Sequence, residues 1–420
     1  MTDSTSPQTP ERVVVVGGGL AGARTAETLR DAGYDGSITL FAAENHLPYD
    51  RPPLSKGFLQ GETPREETVL HPQEWYDEKK IDLKLGTAVT AVEAHDKQVR
   101  ATDGSSTPYD VLVLATGSSP RRLDLPGADL GGVVVLRTVD DAQALRDSFE
   151  EGRRLVVIGG GWIGLEVAAS ARQAGVEVTV LENAAQPLVG VVGEEIGAFF
   201  AALHRDHGVD VRTGVEVESI EAAEGSHKAG SVRLKDGTSV AADLVLLGVG
   251  ATPNVDVARG AGLQIGESGG VLVDAQGRSS DASIFAVGDI AEAETPALGD
   301  GERVRTEHWA TANDRPEATA AAIVGKDDAF DKLPFFYSDQ YDLGLEYSGH
   351  GSKDDEVVVR GSLEKGEFVA FWLDKTGRVR AGMNVNVWDV QDDIQKVIAS
   401  GKAVDKAELA DEETEIGSLA

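Results

Sequence analysis

Two stretches of the chain repeat one pattern of apolar and polar positions. They are residues 11–44, ERVVVVGGGLAGARTAETLRDAGYDGSITLFAAE, and residues 153–182, RRLVVIGGGWIGLEVAASARQAGVEVTVLE. Each has an apolar, β-branched run, a glycine cluster, a helical segment ending near Ala-Gly, and a second apolar run closing on Glu. Gly33 and Gly175 hold the position of a helix C-cap glycine. Because continuous apolar strands are typical of a parallel sheet covered on both faces, each stretch predicts a βαβ unit.

Both glycine clusters have the spacing G-x-G-x-x-G. Such glycines allow a tight turn, close approach of the backbone to a pyrophosphate, and close packing of helix on strand. The pyrophosphate then rests at the positive helix N-terminus. A single motif is weak, but here an acid follows each copy by about 20 residues, in position for a ribose hydroxyl. Two complete copies therefore predict two dinucleotide sites. The residues concerned are Gly17, Gly19, Gly22, Glu44, Gly159, Gly161, Gly164 and Glu182.

Three further apolar runs end in small residues: YDVLVLATG, ADLVLLGVG and SIFAVGD. Buried parallel strands that end in small residues let a ligand approach the carboxyl edge of the sheet. From residue 331 the pattern changes to alternating strands with Gly/Asp turns, which predicts an antiparallel meander followed by a short helix. We expect the last dozen residues, which are acidic, to be mobile.

The composition of the chain excludes several classes of partner and of catalytic chemistry. The 420 residues are 41% apolar and carry a formal net charge of −32, which argues against nucleic acid and anionic membranes as partners. The chain contains no cysteine, so disulfides, thiolate metal sites, iron–sulfur ligation and cysteine nucleophiles are all excluded. No apolar run approaches the roughly 18 residues that span a bilayer. Residues 1–10 resemble a disordered polar tail rather than a signal peptide, and we expect a cytoplasmic protein.

Residues 47–57, LPYDRPPLSKG, are hard to place in regular structure. The prolines forbid a strand interior and discourage a helix interior. Yet Tyr49, Asp50, Arg51 and Lys56 place three charges and an aromatic ring in one short loop. A stiff, charged loop directly after a predicted buried strand indicates a functional segment.

The motifs GGGLAG, PYDRPPLSKG, ATG, GGGWIGLE, GVGATPN and AVGD, in this order, make the chain resemble the two-dinucleotide flavoprotein reductases. More narrowly, it is similar to the oxygenase-coupled, NADH-dependent ferredoxin and rubredoxin reductases of the putidaredoxin reductase type. That narrower resemblance rests on RPPLSK, LRTVDDA, TEHW, PFFYSDQYDLGLEYSG and AGMNVNVWDV and covers residues 11 to about 400. One departure is NDRPEATAAA after TEHWATA, where the family usually has Gln-Gly, so Arg315-Pro316 is expected to alter the start of that helix.

The resemblance implies an α/β fold with two Rossmann-like, glutathione-reductase-like domains and a C-terminal α+β domain with an antiparallel sheet. It implies an FAD domain at 11–118 and 250–330, an NAD domain at 119–249 and a C-terminal domain at 331–420. It also implies which residues contact FAD: Gly17, Gly19, Leu20, Ala21, Gly22, Glu44, Arg51, Lys56, Val89, Ala115, Thr116, Gly117, Arg137, Gly288, Asp289 and Trp309. The residues implied for NADH are Gly159, Gly161, Trp162, Ile163, Gly164, Glu166, Glu182 and Gly250.

The resemblance also implies the catalytic residues. Lys56 is expected beside the flavin N5, paired with Glu166, where a positive charge favours the reduced flavin. Taken alone, Lys56 would be a solvated loop cation and Glu166 a helix-surface acid. Trp309 is expected against the isoalloxazine, although a lone Trp is more often a packing anchor. Glu182 is expected to accept from the ribose 2′-OH and to repel a 2′-phosphate, which favours NADH over NADPH.

His204 and His207 form an HxxH pair, for which metal binding would require further ligands. No such ligands are evident in the sequence, so we expect a solvent-exposed helix end and no metal site.

Three functions are compatible with this pattern. The first is an NADH–ferredoxin reductase that feeds electrons through a 2Fe-2S ferredoxin to a cytochrome P450 or Rieske oxygenase. The second is the same flavoenzyme core reducing rubredoxin, oxygen or a small quinone-like acceptor, as an oxidase or diaphorase. The third is a redox-responsive interaction protein that resembles apoptosis-inducing factor, which the intact RPPLSK makes less favoured. A monomer and a homodimer both fit the sequence.

Overall fold

The computed structural model of the chain describes residues 9–299 and 301–420. The expectation of a disordered tail at 1–10 thus concerns mainly residues outside the described ones. The chain divides into two compact units: residues up to 50 with 66–119 and 252–335, and residues 51–65 with 120–251 and 336–420. The division into three domains stays a prediction.

The chain up to residue 120 begins with the first βαβ repeat, where the apolar run VVVV forms a buried strand and Gly33, at φ 87°, follows the first helix. The strands are β1 Arg12–Val16, β2 Ser37–Phe41, β3 Ile81–Lys84, β4 Val89–Glu93, β5 Gln98–Ala101, β6 Ser106–Pro108, β7 Val111–Leu114 and β8 Ser118–Pro120. The helices are α1 Leu20–Asp31, α2 Gly57–Gln60, α3 Arg65–Thr68 and α4 Gln73–Glu78, with a 3-10 turn at Pro52–Ser55.

The next segment contains the second βαβ repeat, and Gly175 follows its helix at φ 83°. Its strands are β9 Val133–Val134, β10 Arg154–Ile158, β11 Glu177–Leu181, β12 Asp210–Arg212, β13 Val217–Ala222, β14 Ala229–Leu234, β15 Ser239–Ala241, β16 Leu244–Leu247 and β17 Ala251–Pro253. Its helices are α5 Val139–Asp147, α6 Trp162–Gln173 and α7 Val189–Asp206.

The remaining elements return to the first unit and then build the C-terminal sheet. Between residues 252 and 334 they are α8 Asp256–Gly260, β18 Val271–Val273, β19 Ile284–Ala286, β20 Ala291–Glu294, β21 Arg303–Arg305 and α9 Trp309–Ile323, with 3-10 turns at Gly288–Ile290 and Pro296–Leu298. Beyond them are β22 Phe335–Gln340, β23 Leu343–Gly349, β24 Glu356–Ser362, β25 Glu367–Leu373, β26 Val379–Val385, α10 Gln391–Ser400, α11 Lys406–Ala410 and a 3-10 turn at Ile416–Leu419.

The first unit is built on a parallel sheet of order β19-β7-β1-β2-β3. Its central strand β1 is buried from Val13 to Val16, as a strand covered on both faces should be. Helices α1 and α9 pack against each other. Two smaller three-stranded sheets, β4-β5-β6 and β18-β20-β21, complete the unit.

The second unit repeats that parallel sheet in the order β12-β11-β10-β16-β9 and adds the antiparallel ribbon β13-β14-β15. The predicted C-terminal antiparallel sheet is present, with central strands that are antiparallel. The prediction of a simple meander is wrong, because the strand order is β22-β23-β26-β25-β24 and the chain crosses from β23 to the far edge before β24. Its inward side chains Phe368, Trp372 and Met383 belong to one apolar core with Val157 and Leu165. The predicted α/β and antiparallel layers are thus both present.

The prediction of a mobile C-terminus is wrong. The last residues form α11 and the 3-10 turn at Ile416–Leu419, in which Leu409 and Ile416 are buried. Asp405 caps α11 by accepting from the Ala407 amide at 2.7 Å. Two buried apolar anchors outweigh the acidic composition of the surrounding residues.

Candidate active site

The first glycine loop, between β1 and α1, is packed too closely for side chains. A Cβ added at Gly17, whose φ is 127°, would lie 2.0 Å from the Ala115 carbonyl oxygen. One added at Gly22 would lie 1.9 Å from the Gly17 carbonyl oxygen. Gly288 has φ 71° and lies close to Ala21. A Cβ added at Gly288 would lie 2.9 Å from the Ala21 Cβ. These five small residues thus bring the ends of β1, β7 and β19 against the start of α1.

Helix α1 begins after Gly19, and no side chain caps its N-terminus. The amides of the first turn of a helix lack intrahelical acceptors, and the helix dipole favours an anion there. Leu20 and Ala21 occupy that first turn and are buried. The loop and helix therefore fit a pyrophosphate.

Glu44 follows β2 by three residues and is held in place by a neighbour. The Tyr49 hydroxyl donates to its Oε2 at 2.5 Å, and its backbone carbonyl accepts from the Gly86 amide at 2.9 Å. Val89 is the first residue of β4, shortly beyond that turn. This places a fixed carboxylate beyond the end of β2, where a nucleotide ribose is bound in such folds.

The segment Ala115–Gly117 follows β7 and is tied to Asn254. The Thr116 hydroxyl donates to the Asn254 carbonyl at 2.6 Å, and the Asn254 amide group donates back to the Thr116 carbonyl at 2.9 Å. Asp289 lies in the 3-10 turn after β19, as expected for a strand-end carboxylate. Sequence reasoning did not single out Asn254, although GVGATPN was part of the resemblance.

Trp309 is the first residue of α9 and is 37% exposed. Its indole Nε1 donates to Asp50 Oδ1 at 2.8 Å. Burial raises the pKa of Asp50, and the Trp309 hydrogen bond opposes that rise. An indole with this much exposed surface can pack against another ring, and the hydrogen bond to Asp50 orients it.

The expectation that Arg315-Pro316 alters the start of α9 is wrong, because the helix starts at Trp309 and Pro316 lies in its interior. The Pro316 carbonyl accepts from the Thr28 hydroxyl at 3.3 Å. Arg315 is 2% exposed, with its guanidinium carbon 4.4 Å from the Phe330 ring centre, and burial lowers its pKa to about 10. The departure from the family pattern is therefore accommodated inside the first unit.

The second glycine loop, between β10 and α6, repeats the geometry of the first. Added Cβ atoms at Gly159 and Gly164 would lie 2.4 Å from the Gly248 carbonyl oxygen and 2.3 Å from the Gly159 carbonyl oxygen. Gly161 precedes α6 without a side-chain cap, and Trp162 and Ile163 begin the helix. Ile163 is 47% exposed, which suits a residue that covers a ligand.

Glu182 follows β11 directly and closes this loop. Its Oε2 accepts from the Gly160 amide at 2.7 Å, and its Oε1 accepts from the Ala184 amide at 2.8 Å. Gly250 has φ 92°, and its backbone carbonyl accepts from the Arg121 amide at 2.9 Å. The negative charge of Glu182 is thus fixed beside the glycine loop.

Lys56 and Glu166 form the expected ion pair, with Nζ 2.8 Å from Oε2. Glu166 is 3% exposed rather than a helix-surface acid, because two hydroxyls satisfy it: Ser55 Oγ donates to Oε2 at 2.5 Å and Ser338 Oγ donates to Oε1 at 2.7 Å. The Lys56 ammonium also lies 5.5 Å from the Tyr337 ring centre. The carboxylate therefore accepts three donors, which is what a buried charge requires.

Residues 51–56 are placed by contacts within the second unit. The Arg51 guanidinium donates to the Arg137 carbonyl at 3.1 Å, and the Arg137 amide donates to Asp141 at 3.1 Å. Pro52 and Pro53 begin the 3-10 turn Pro52–Ser55, where their missing amides cost nothing. Sequence reasoning missed Ser55 and Ser338; Ser338 is 172 residues from Glu166, so no local pattern could connect them.

The expectation of an exposed HxxH pair is wrong for His204. His204 is fully buried, with Nε2 2.9 Å from Gln340 Oε1 and Nδ1 3.0 Å from the Tyr341 hydroxyl. His207 is exposed and stacks on the Tyr341 ring at 3.7 Å. Among the described residues, no group of three or more His, Asp or Glu could hold a metal ion.

Comparison with known proteins agrees with this geometry. Residues 11–316 match the family described as pyridine nucleotide-disulphide oxidoreductase, and residues 335–420 match the reductase C-terminal family. The chain is 42% identical over 399 residues to the anthranilate 1,2-dioxygenase system ferredoxin--NAD(+) reductase component of Burkholderia cepacia, covering 95% of this chain and 96% of that one. It is 40% identical over 379 residues to putidaredoxin reductase of Pseudomonas putida, covering 90% and 89%.

Solved structures give the same result. The covalent complex of putidaredoxin reductase with putidaredoxin matches with a TM-score of 0.92 and 38% identity, covering 97% of this chain and 98% of that one. A ferredoxin reductase from Rhodopseudomonas palustris matches with a TM-score of 0.91 and 36% identity, covering 98% of this chain and all of that one. In the described part of the chain, no helix is long and apolar enough to cross a membrane.

Two glycine loops of this geometry define the class of two-dinucleotide flavoprotein oxidoreductases. The chain belongs to the pyridine nucleotide-disulphide oxidoreductase family and has its reductase C-terminal domain. It is an NAD-dependent oxidoreductase that uses FAD. Because it contains no cysteine, its reaction proceeds without the disulphide that gives the family its name.

Proposed function

We propose that the protein is an NADH:ferredoxin oxidoreductase that supplies electrons to an oxygenase. The observation that carries this proposal is the combination of two glycine loops with a buried Lys56–Glu166 pair and no cysteine. The relatives at about 40% identity support it, since one is a ferredoxin reductase component of a dioxygenase system. FAD supplies the chemistry that converts a two-electron hydride donor into a source of single electrons for a 2Fe-2S ferredoxin.

The first glycine loop is the proposed FAD site and the second the proposed NADH site. The clash that any side chain would make at Gly17 or Gly22 supports the tight turn and the close helix–strand packing of a dinucleotide-binding loop there. On this assignment Glu44 would accept from the adenosine ribose of FAD, and Glu182 from the ribose of NADH. Asn183 follows Glu182 and offers no cation for a 2′-phosphate, which favours NADH. The functional domains would be 11–118 with 250–330, 119–249 and 331–420, and NADH use fits a cytoplasmic location.

The other residues implied by the resemblance are proposed to line these two sites. For FAD they are Gly19, Leu20, Ala21, Arg51, Val89, Ala115, Thr116, Gly117, Arg137, Gly288 and Asp289. For NADH they are Gly159, Gly161, Trp162, Ile163, Gly164 and Gly250. Their positions at helix starts and strand ends support the assignment.

Lys56 is the proposed catalytic cation and Glu166 the group that holds it. A fixed ammonium stabilises negative charge that develops nearby, provided that its own position costs no reorganisation during the reaction. Three donors hold the Glu166 carboxylate, so its position beside Lys56 is fixed. Trp309, oriented by Asp50, is the proposed ring contact of the flavin.

The proposal is tested by following electrons to an acceptor. The purified flavoprotein is reduced anaerobically with NADH and mixed in a stopped-flow instrument with several 2Fe-2S ferredoxins and one rubredoxin. We expect at least one ferredoxin to reoxidise the flavoprotein much faster than air does. If only rubredoxin does so, the acceptor class is wrong; if no carrier does so, the protein is not a ferredoxin reductase.

A further inference from the structure

A chain of hydrogen bonds leads away from Glu166 through the second unit. Ser338 Oγ donates to Glu166 Oε1 at 2.7 Å and accepts from Gln340 Nε2 at 3.2 Å. Gln340 Oε1 lies 2.9 Å from His204 Nε2, and His204 Nδ1 lies 3.0 Å from the Tyr341 hydroxyl. The chain thus runs from α6 through β22 to the end of α7.

The direction of every hydrogen bond in this series follows from the end at Glu166. An ionised Glu166 can only accept, so the Ser338 hydroxyl donates to it and must accept from Gln340. The Gln340 amide then presents its oxygen to His204, which requires a proton on Nε2. A neutral ring protonated at Nε2 accepts at Nδ1, so the Tyr341 hydroxyl donates. All four donors therefore point toward Glu166.

The inner members are shielded from water. Ser338 and Gln340 are each 1% exposed, and His204 is 0% exposed. Burial lowers the pKa of His204 to about 4, which agrees with the neutral ring that the chain requires. In a low-dielectric interior, hydrogen bonds that point the same way polarise and strengthen one another. The aligned hydrogen bonds therefore strengthen the one that Ser338 donates to Glu166, the carboxylate that holds Lys56.

The outer end of the chain is fixed at a turn. Tyr341 begins the tight connection from β22 to β23 with φ 59°, a left-handed conformation that is costly for a tyrosine. His207, the residue directly after α7, stacks on the Tyr341 ring at 3.7 Å with an interplanar angle of 8°. The Tyr341 hydroxyl is thereby held toward His204.

We propose that His204 is a positioning residue for the Lys56–Glu166 pair, acting through Gln340 and Ser338. The chain orients rather than conducts, because an amide such as Gln340 does not readily pass a proton from its oxygen to its nitrogen. This inference rests on the proposed function, which places Lys56 at the reacting end of the flavin. His204 itself touches neither cofactor in that assignment.

Two substitutions separate the two ring nitrogens. In His204→Gln the amide nitrogen reaches the place of Nε2 and still donates to Gln340. In His204→Asn the shorter amide reaches only the place of Nδ1 and leaves Gln340 without its donor. We expect His204→Asn to slow reduction of the bound flavin by saturating NADH about tenfold, the cost of one lost hydrogen bond in the chain. His204→Gln should stay within about twofold of the parent protein on the same reasoning.

A second measurement separates positioning from stability. The absorption spectrum of bound oxidised FAD should change in His204→Asn and in Ser338→Ala, but not in His204→Gln. Ser348→Ala is the matched control, because Ser348 is a fully buried serine on β23 that bonds Gln391 and Gln395 instead. It should lower the melting temperature Tm as Ser338→Ala does, and leave the spectrum and rate unchanged.

The outcomes distinguish this inference from the function it rests on. If Lys56→Met slows flavin reduction and His204→Asn and His204→Gln behave alike, the positioning role of His204 is refuted and the proposed function stands. If Lys56→Met does not change the rate of flavin reduction, the proposed catalytic role of the Lys56–Glu166 pair is refuted, and the positioning role of His204 is refuted with it. Nitrogen-15 NMR of histidine-labelled holoprotein gives an independent check, since a proton on Nδ1 of His204 would contradict the chain.

Discussion

At the scale of single residues, the Lys56–Glu166 pair shows how burial changes the meaning of a charge. A loop lysine next to prolines has no structural need for a buried partner. Here Glu166 is 3% exposed and accepts from Lys56 and two serines, so both charges are removed from most of the solvent. Such an arrangement is costly unless the geometry is complete, which favours a functional role.

Replacing Lys56 tests that role. Lys56→Met keeps the length of the side chain and removes its charge, so Glu166 loses its cation. We expect the rate constant for flavin reduction by saturating NADH to fall by about tenfold to a hundredfold, as for loss of an electrostatic group at a reacting centre. Stopped-flow absorbance measures it. Lys235→Met removes an exposed lysine, paired with Glu216, and should leave the rate unchanged; equal rates in both variants would contradict the role.

The buried His204 also predicts a pH dependence of stability. Its pKa is lowered by burial to about 4, whereas an unfolded histidine titrates near 6.5. The unfolded state therefore binds the proton first, and stability is lost as pH falls from about 6.5 toward 4. At pH 5 the cost is about 2 kcal/mol relative to pH 8. Urea unfolding at both pH values should show this extra loss in the parent protein and not in His204→Gln.

At the scale of elements, the repeated βαβ unit was predictable and its surroundings were not. The runs at 12–16 and 154–158 are strands, and the glycine spacing gave both loops, because these features depend on neighbours in sequence. The bond from Ser338 to Glu166 and the contact of Gln340 with buried His204 depend on β22, more than 130 residues away from both. The C-terminal residues were misjudged because Leu409 and Ile416 are only two apolar anchors in an acidic segment.

The repeat extends to a feature that the sequence did not reveal. Arg12, at the start of β1, pairs with Asp110 just before β7, with Nη2 2.7 Å from Oδ1. Arg154, at the start of β10, pairs with Asp243 just before β16 in the same way, at 2.6 Å. Hydrogen bonding to Arg154 lowers the pKa of Asp243 to about 2. In each parallel sheet an ion pair thus joins the starts of two neighbouring strands, at the end of the sheet opposite the glycine loop.

The two glycine loops predict separate losses of cofactor. Gly22→Ala would place a Cβ 1.9 Å from a carbonyl oxygen, so the first loop must open, and we expect the purified variant to lose FAD. Gly164→Ala would clash at 2.3 Å in the second loop, and we expect it to retain FAD but bind NADH at least about tenfold more weakly. Flavin content and NADH titration measure these effects.

A matched alanine substitution controls for helix effects. Gly260 lies in α8, where an added Cβ would meet no atom within 4 Å. Gly260→Ala should therefore keep both cofactors and gain a few tenths of a kcal/mol from reduced unfolded-state entropy. If Gly22→Ala loses NADH and keeps FAD, the assignment of the two loops is reversed.

At the scale of the whole molecule, the net charge of −32 sets the response to salt. Seventy-one acidic residues against 39 basic ones repel one another in the compact state. Raising ionic strength from about 10 mM to about 1 M shortens the screening length from about 30 Å to about 3 Å. Exposed ion pairs also weaken, but each contributes only about 0–1 kcal/mol.

We therefore expect sodium chloride to raise the melting temperature Tm by a few degrees over that range, measured by calorimetry on the FAD-loaded protein. Potassium chloride should have the same effect, since screening does not depend on the cation. A fall in Tm with salt would mean that the ion pairs, rather than the net charge, dominate the electrostatic stability.

The first parallel sheet is interrupted along the chain by the whole of the second. Its strands β1, β2, β3 and β7 are complete by residue 114, but its last strand, β19, ends at residue 286. The second parallel sheet lies between them and is complete by residue 247. During synthesis, the ribosome therefore releases every strand of the second parallel sheet while β7 still has an open edge. The first parallel sheet therefore stays incomplete until β19 has been synthesised. Until then the unpaired edge of β7 is the place where we expect the nascent chain to misfold or to bind a chaperone.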